Sequence, residues 1–220
     1  MTVTRAYHHG DLPRALLQAA VTAIEESGPA AFSLRDLARR AGVSHAAPTH
    51  HFGDKAGLLT ALAVEGFDLL TATLDAAGDD LLDVGVAYVD FAVRHRAHFE
   101  VMFRPDLYRA DAPQVRAARE RAGAALHTGV AALPADRPGP GDLRTDALAA
   151  WSIVHGFATL WLSGALPPDI EADPRTAART VIRHLLPPPP DPTPTPQHSP
   201  VDQEVCVIPP DADDANLLIT

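Results

Sequence analysis

Up to about residue 186 the sequence has no stretch in which apolar and polar residues alternate, and few consecutive β-branched residues; alanine and leucine dominate instead. A half-buried strand needs a side-chain period of two, whereas alanine and leucine are the strongest helix formers. The expected architecture is therefore all-α. Breakers mark where helices end: Gly28-Pro29, Gly42, Gly53, Gly78, Pro105, Pro113, the cluster from Pro134 to Gly141, and Pro167-Pro168. They leave room for about eight or nine helices, enough for a helical bundle. At Pro187 the character changes. The last 34 residues hold ten of the 21 prolines, beginning PPPPDPTPTP. Such a tail, residues 187–220, is expected to be extended and disordered, because proline cannot donate and little apolar area is available to bury.

Near the N-terminus the pattern becomes specific. Leu12, Leu16, Ala20 and Ile24 form one stripe of an amphipathic helix that Gly28-Pro29 ends. Ser33 then stands where it can cap a second helix, with Asp36 in the first turn and Leu34, Leu37, Ala38 and Ala41 as its inner face. Gly42 follows where a helix stops in the left-handed region. Val43 can plug the core, and Ser44 is read as the cap of a third, short helix, His45 to Phe52. A helix, a glycine turn and a second helix with small and polar residues outward is a helix-turn-helix arrangement. Alanines there permit close approach to thymine methyls, and His and Thr can reach base edges or phosphates. Gly53-Asp54-Lys55 opens a fourth helix whose first turn, with the only lysine of the chain, is expected to face a phosphate.

A formal net charge of −10 argues against nucleic acid only until its distribution is considered. Residues 1–55 carry six basic and five acidic groups and five of the eleven histidines, while the remaining 165 residues have a balance of −11. An acidic body discourages non-specific clinging to DNA.

The run FSLRDLARRAGVSHAAPTHHFGDKAGLL resembles the helix-turn-helix of the tetracycline-repressor (TetR) family. Leu37, Ala38, Ala41, Gly42, Val43, Ser44, His51, Phe52 and Lys55 fall on positions of its pattern. The resemblance implies a DNA-binding domain over residues 8–68, an N-terminal three-helix bundle. It places Ser44, His45, Ala46, Thr49 and His50 at the groove and His51 and Lys55 on phosphates. Ser33, Arg35 and Arg39 complete the expected DNA-facing set. Thr49 stands where the family usually has tyrosine, and Pro48 where leucine is common.

Residues 56–186, with the expected C-terminal ligand-sensing and dimerisation domain at residues 80–186, carry no Gly-rich phosphate loop, no HExxH and no Cys/His set with metal spacing. Ala147 to Leu166 is twenty residues without a formal charge, the length of a membrane span. Its His, Ser, Thr and Gly content and the lack of flanking Lys/Arg favour a buried central helix instead. Leu148, Trp151, His155, Ala158 and Leu162 share one face, and Ser152, Gly156, Thr159 and Ser163 a neighbouring face of small residues. The Trp-xxx-His-Gly pattern resembles the C-terminal domain called WHG in one branch of the same family. That implies a two-fold dimer, with the small face and a last helix, Pro174 to Leu186, at the seam. It also implies a pocket near Phe91, Phe99, Met102, Phe103, Trp151 and His155, though aromatic and Met residues at helical spacing equally suit plain core. An apolar or amphipathic small molecule would suit such a cavity.

Adjacent histidines (His8-His9, His50-His51) diverge by about 100° on a helix and rarely chelate one ion, so no metal is expected. The His8-His9-Gly10 arm can add a phosphate or minor-groove contact. Without a nucleophile, base and orienting group together, no enzyme activity and no cofactor are expected. No signal peptide is read, and lone Cys206 fits a reducing cytoplasm. The expected function is that of a cytoplasmic, dimeric repressor that binds a palindromic double-stranded operator and is released by a small-molecule effector. A helical adaptor that has lost DNA binding is the alternative.

Overall fold

The computed structural model describes residues 12–131 and 142–185, which lie in one compact unit. The His8-His9-Gly10 arm and the proline-rich tail fall outside them. The described residues form nine helices and no strand. They are α1 (Leu12–Ser27), α2 (Leu34–Ala41), α3 (Ala47–Phe52), α4 (Lys55–Ala77), α5 (Leu81–Arg94), α6 (Arg96–Met102), α7 (Pro113–Ala131), α8 (Leu143–Ser163) and α9 (Pro174–Leu185).

Short side chains start these helices. Ser33, Asp54, Asp80 and Asp142 each accept a hydrogen bond from a backbone N–H in the first turn of α2, α4, α5 and α8. Pro113 and Pro174 open α7 and α9, where the missing N–H costs nothing. Gly42, at φ 66°, and Gly164, at φ 68°, end α2 and α8 in the left-handed conformation. Only the break between α5 and α6 lacks a Gly or Pro. It falls at His95, whose ring packs on Phe91 at 5.2 Å between centroids.

The central helix is α4. Leu58, Leu59, Leu62, Ala63, Phe67, Leu70 and Leu74 are buried along it, and it packs against α1, α3, α5, α6 and α7. It is also the one helix among the described residues long and apolar enough to cross a membrane; 56% of that apolar window is buried within the fold. The reading of Ala147–Leu166 as the buried central helix is therefore corrected. Those residues make up most of α8, which buries Ala147, Val154, Phe157 and Ala158 but leaves Leu148 56% and Leu160 47% exposed. Freedom from charge measured how apolar that helix is, not how many neighbours surround it.

Close approach is built in at the start of α4. A Cβ on Gly57 would lie 1.9 Å from the Phe52 carbonyl oxygen and 2.9 Å from an Arg109 guanidinium nitrogen. The backbone oxygen cannot give way, so α3 meets α4 only because residue 57 has no side chain. Gly57→Ala is expected to destabilise the fold by about 2 kcal/mol or more, lowering the thermal midpoint by roughly 5 °C. Thermal denaturation followed by circular dichroism checks this; an unchanged midpoint would mean that α3 and α4 separate freely.

Candidate nucleic-acid interface and ligand cavity

The amino-terminal interface is assembled by α2, its glycine turn and α3. Leu37 and Ala38 are fully buried and hold α2 against α1, and the Gly42 turn directs the Val43 N–H back to Ala38 O at 3.0 Å. The expectation for Ser44 needs correction. The helix begins at Ala47, with Ala46 at the cap position and no side-chain cap, and Ser44 contributes its backbone carbonyl, which accepts from Ala47 N at 3.0 Å. Its hydroxyl thus stays on the exposed side. Pro48 occupies the first turn, where its missing N–H would be unpaired anyway, and its ring is buried as the inward plug of α3. A proline can therefore stand where leucine is common without breaking the helix.

Ser44, His45, Ala46, Thr49, His50 and His51 are all exposed. They form the outer surface of the turn and α3. Ser33, Arg35 and Arg39 are exposed beside them on the start and outer side of α2. Arg39 donates to Asp36 at 3.1 Å. This bond, and then the one from Ser33, holds the Asp36 carboxyl below its usual range. Arg40 is drawn away to Glu26 on α1 at 2.7 Å.

Lys55 is placed differently from the others. Its ammonium donates to Ala30 O at 3.0 Å and to Phe32 O at 2.9 Å, and it lies 4.2 Å from the centre of the Phe32 ring. Partial burial lowers its pKa. Lys55 therefore ties the α1–α2 loop to the first turn of α4, and two of its three N–H donors are used within the chain. The sequence signal for this is only a lysine beside a capping Asp; the carbonyls it meets lie 23 and 25 residues away.

The second feature is a cavity of about 710 Å³ bounded by α4, α5, α6, α7, α8 and the loop after α6. Of the six residues expected to line it, Met102, Phe103 and Trp151 do so. Phe91, Phe99 and His155 are absent from its wall and belong to the packing behind it. The sequence reading missed Phe67, Leu70 and Leu74 on α4 and Leu126 on α7. Their spacing looks like ordinary core, and only the tertiary arrangement leaves a space beside them.

At and behind the wall, which Tyr88 also lines, aromatic rings converge on His155, with centroids at 4.5 Å to Phe103, 5.2 Å to Phe99 and 5.5 Å to Trp151. The Trp151 indole, which can only donate, gives its N–H to the Tyr88 oxygen at 3.2 Å. Tyr88 in turn lies 2.9 Å from His155 Nδ1, an arrangement that suits a neutral imidazole accepting the phenol proton. Burial agrees with this: it pushes the Tyr88 hydroxyl up and the His155 imidazole down.

A helix-turn-helix with its outer face open, carried on a helical body with a cavity open to one side, defines a DNA-binding regulator. The chain belongs to the TetR family of bacterial transcriptional regulators. Residues 16–62 match the profile of bacterial regulatory proteins of the tetR family, and residues 81–185 match a tetracyclin repressor-like C-terminal domain. A solved structure of a protein of unknown function from Rhodococcus sp. RHA1 shares 37% identity, over 82% of this chain and 96% of that one, with a TM-score of 0.67. A TetR-family regulatory protein from Rhodococcus RHA1 shares 25% identity, over 79% and 95% of the two chains, with a TM-score of 0.61. The TetR-like regulator LfrR from Mycobacterium smegmatis, solved with proflavine, shares the fold at 20% identity, over 80% and 94%, with a TM-score of 0.57. No curated protein matches the sequence. Members of the family act by binding DNA, not as enzymes.

The histidines provide a pH signature. Burial, the largest cause for both, lowers the pKa of His155 and His95 below the ordinary 6.5. The unfolded chain then takes up protons first as the pH falls, so stability present above about pH 6.5 is lost below it. The urea midpoint should therefore drop between pH 7.5 and 5.5, and His155→Phe should flatten part of that slope. An identical slope in the variant would remove His155 from the account.

Proposed function

We propose that the protein is a cytoplasmic repressor that binds a roughly palindromic operator as a homodimer and lets go when a small molecule enters the cavity. The observation that carries this reading is the outer surface of the turn and α3. Ser44, His45, Ala46, Thr49 and His50 are exposed together, small or polar, with no acidic residue among them. Such a surface suits the major groove, where small side chains allow close approach and His and Thr can reach base edges. His51, Ser33, Arg35 and Arg39 lie where they would meet the phosphate backbone. For Lys55 the proposal is narrower: one remaining N–H can face a phosphate while the other two hold the loop.

The dimer seam is proposed on α8. Ser152, Thr159 and Ser163 are exposed, Gly156 has open space where a Cβ would project, and exposed Leu148 and Leu160 adjoin them. A face with small residues and flanking leucines suits close packing against its symmetry mate.

Transmission from the cavity has a physical route in the loop between α6 and α7. Pro105 lines the cavity. Tyr108 donates to Met102 O at 2.8 Å and accepts from Arg119 at 3.1 Å. The next residue, Arg109, donates its backbone N–H to Thr60 Oγ1 at 3.1 Å and its guanidinium to Asp54 at 2.9 Å. Asp54 is the cap of α4, so one short loop touches both the cavity wall and the joint that holds α3. A ligand shifts the operator equilibrium only by its differential affinity for the two arrangements. The LfrR structure, which holds proflavine, supports a small-molecule reading of the cavity.

The test is binding to DNA from upstream of the protein's own gene, at low and moderate salt, against random DNA. Sequence-preferring binding that weakens with salt is expected. Arg39→Ala should weaken binding to all sequences and flatten the salt slope, whereas His45→Ala should alter sequence preference. Equal loss on operator and random DNA for His45→Ala would remove its base-reading role. No preference for any DNA at either salt would favour the adaptor alternative. For the seam, Gly156→Arg should fold normally yet sediment as a monomer; a stable dimer would place the interface elsewhere.

A further inference from the structure

The cavity wall has a chemical asymmetry that neither the fold nor the family reading explains. Most of it is apolar, built chiefly by Phe67, Leu70, Leu74, Met102, Leu126 and Trp151. The polar side chains added to it include Arg119 and His127 from α7 and Arg144 from α8, and among the described residues no Asp or Glu lines the cavity. In a protein with a net charge of −10, a wall whose described residues include two guanidiniums and no carboxylate runs against the overall balance. Of the nearby carboxylates, Asp68 pairs with Arg121, while Asp142 caps α8, accepting from Thr145 N at 2.7 Å, and feels the charge of Arg144 without pairing with its guanidinium.

Neither arginine is neutralised by a hydrogen-bonded carboxylate among the described residues. Arg119 donates to the Tyr108 hydroxyl and lies 5.7 Å from the centre of the Phe67 ring, so its charge is held over the apolar part of the wall. Arg144, in the first turn of α8, makes no side-chain hydrogen bond or ion pair among the described residues and is exposed.

We infer that the cavity takes an amphipathic monoanion, a carboxylate or similar acid carried on an apolar chain or ring. The acid group meets the guanidiniums of the wall, those of Arg119 and Arg144, and the apolar body lies along Phe67, Leu70, Leu74, Met102, Leu126 and Trp151. An anionic head entering a partly apolar space loses hydration, and guanidinium forks offset that loss with charge-assisted hydrogen bonds. A cationic ligand of the same shape finds aromatic faces there but no carboxylate among the described residues, and meets two like charges. The inference rests on the reading of this cavity as the effector site.

The test uses the full chain and three probes with the same ten-carbon tail: decanoate, decyltrimethylammonium and 1-decanol, each below its aggregation concentration. Binding is measured by calorimetry and by the emission of Trp151 in a Trp161→Phe background. Decanoate is expected to bind at least tenfold more tightly than decyltrimethylammonium. The double variant R119Q/R144Q should lose at least tenfold in decanoate affinity while binding 1-decanol within twofold of the parent, which shows that the cavity is intact. Decyltrimethylammonium binding as tightly as decanoate, or decanoate binding unaltered in the double variant, overturns the assignment of charge and leaves the effector reading standing. Failure of all three probes to bind overturns both. Decanoate that binds with the expected preference yet leaves operator affinity unchanged supports the ligand class and overturns the effector reading.

Discussion

Burial of one long helix holds the rest of the molecule in register. The leucines and Phe67 of α4 are shared between the packing of the amino-terminal helices and that of the body, so the two parts do not have separate cores joined by a linker. Each fully buried side chain of this kind contributes roughly 1.5–3 kcal/mol. Rotating α4 would disturb α1, α3, α5, α6 and α7 together. Interfaces packed this closely do not deform gradually, so a shift of α4 at its cavity end would disturb the packing at its α3 end as well.

The joint at the start of α4 is where that rigidity becomes useful. Lys55 holds the α1–α2 loop, Asp54 caps the helix and pairs with Arg109, and Gly57 lets the Phe52 carbonyl approach. These contacts set the position of α3 without using its outer surface. The Arg109–Asp54 pair is exposed and so contributes little to stability. What it adds is a geometric link between the loop after α6 and the helix that carries the DNA-facing head.

Much of the amino-terminal site was legible because it is local. Ser33, Asp36, Gly42 and the exposed residues of α3 act within a few positions of one another, and helical spacing alone sorts Leu37 and Ala38 inward from Arg35 and Arg39 outward. The error at Ser44 is also local in origin. Several residues near a helix start can serve as its cap, and Pro48 together with the tight turn at Gly42 moved the start to Ala47. The intramolecular bonds of Lys55 were not legible for the opposite reason, since its carbonyl partners are distant in sequence. The cavity was half legible: Trp151, Phe103 and Met102 face it, but Phe91, Phe99 and His155 have the same chemistry and lie behind the wall.

The sequence by itself determined that the chain is helical, where most helices begin and end, and that α2, a glycine turn and α3 form a helix-turn-helix. Those features follow from side-chain period, capping and φ preference, which are properties of neighbouring residues. Tertiary structure alone decided that α4 rather than α8 is central, that α5 breaks at His95 without glycine or proline, and that Arg119 and Arg144 share the wall of one cavity with Phe67. These depend on which surfaces meet. An apolar helix face has the same pattern whether it meets a neighbour, a cavity or a second copy of the chain.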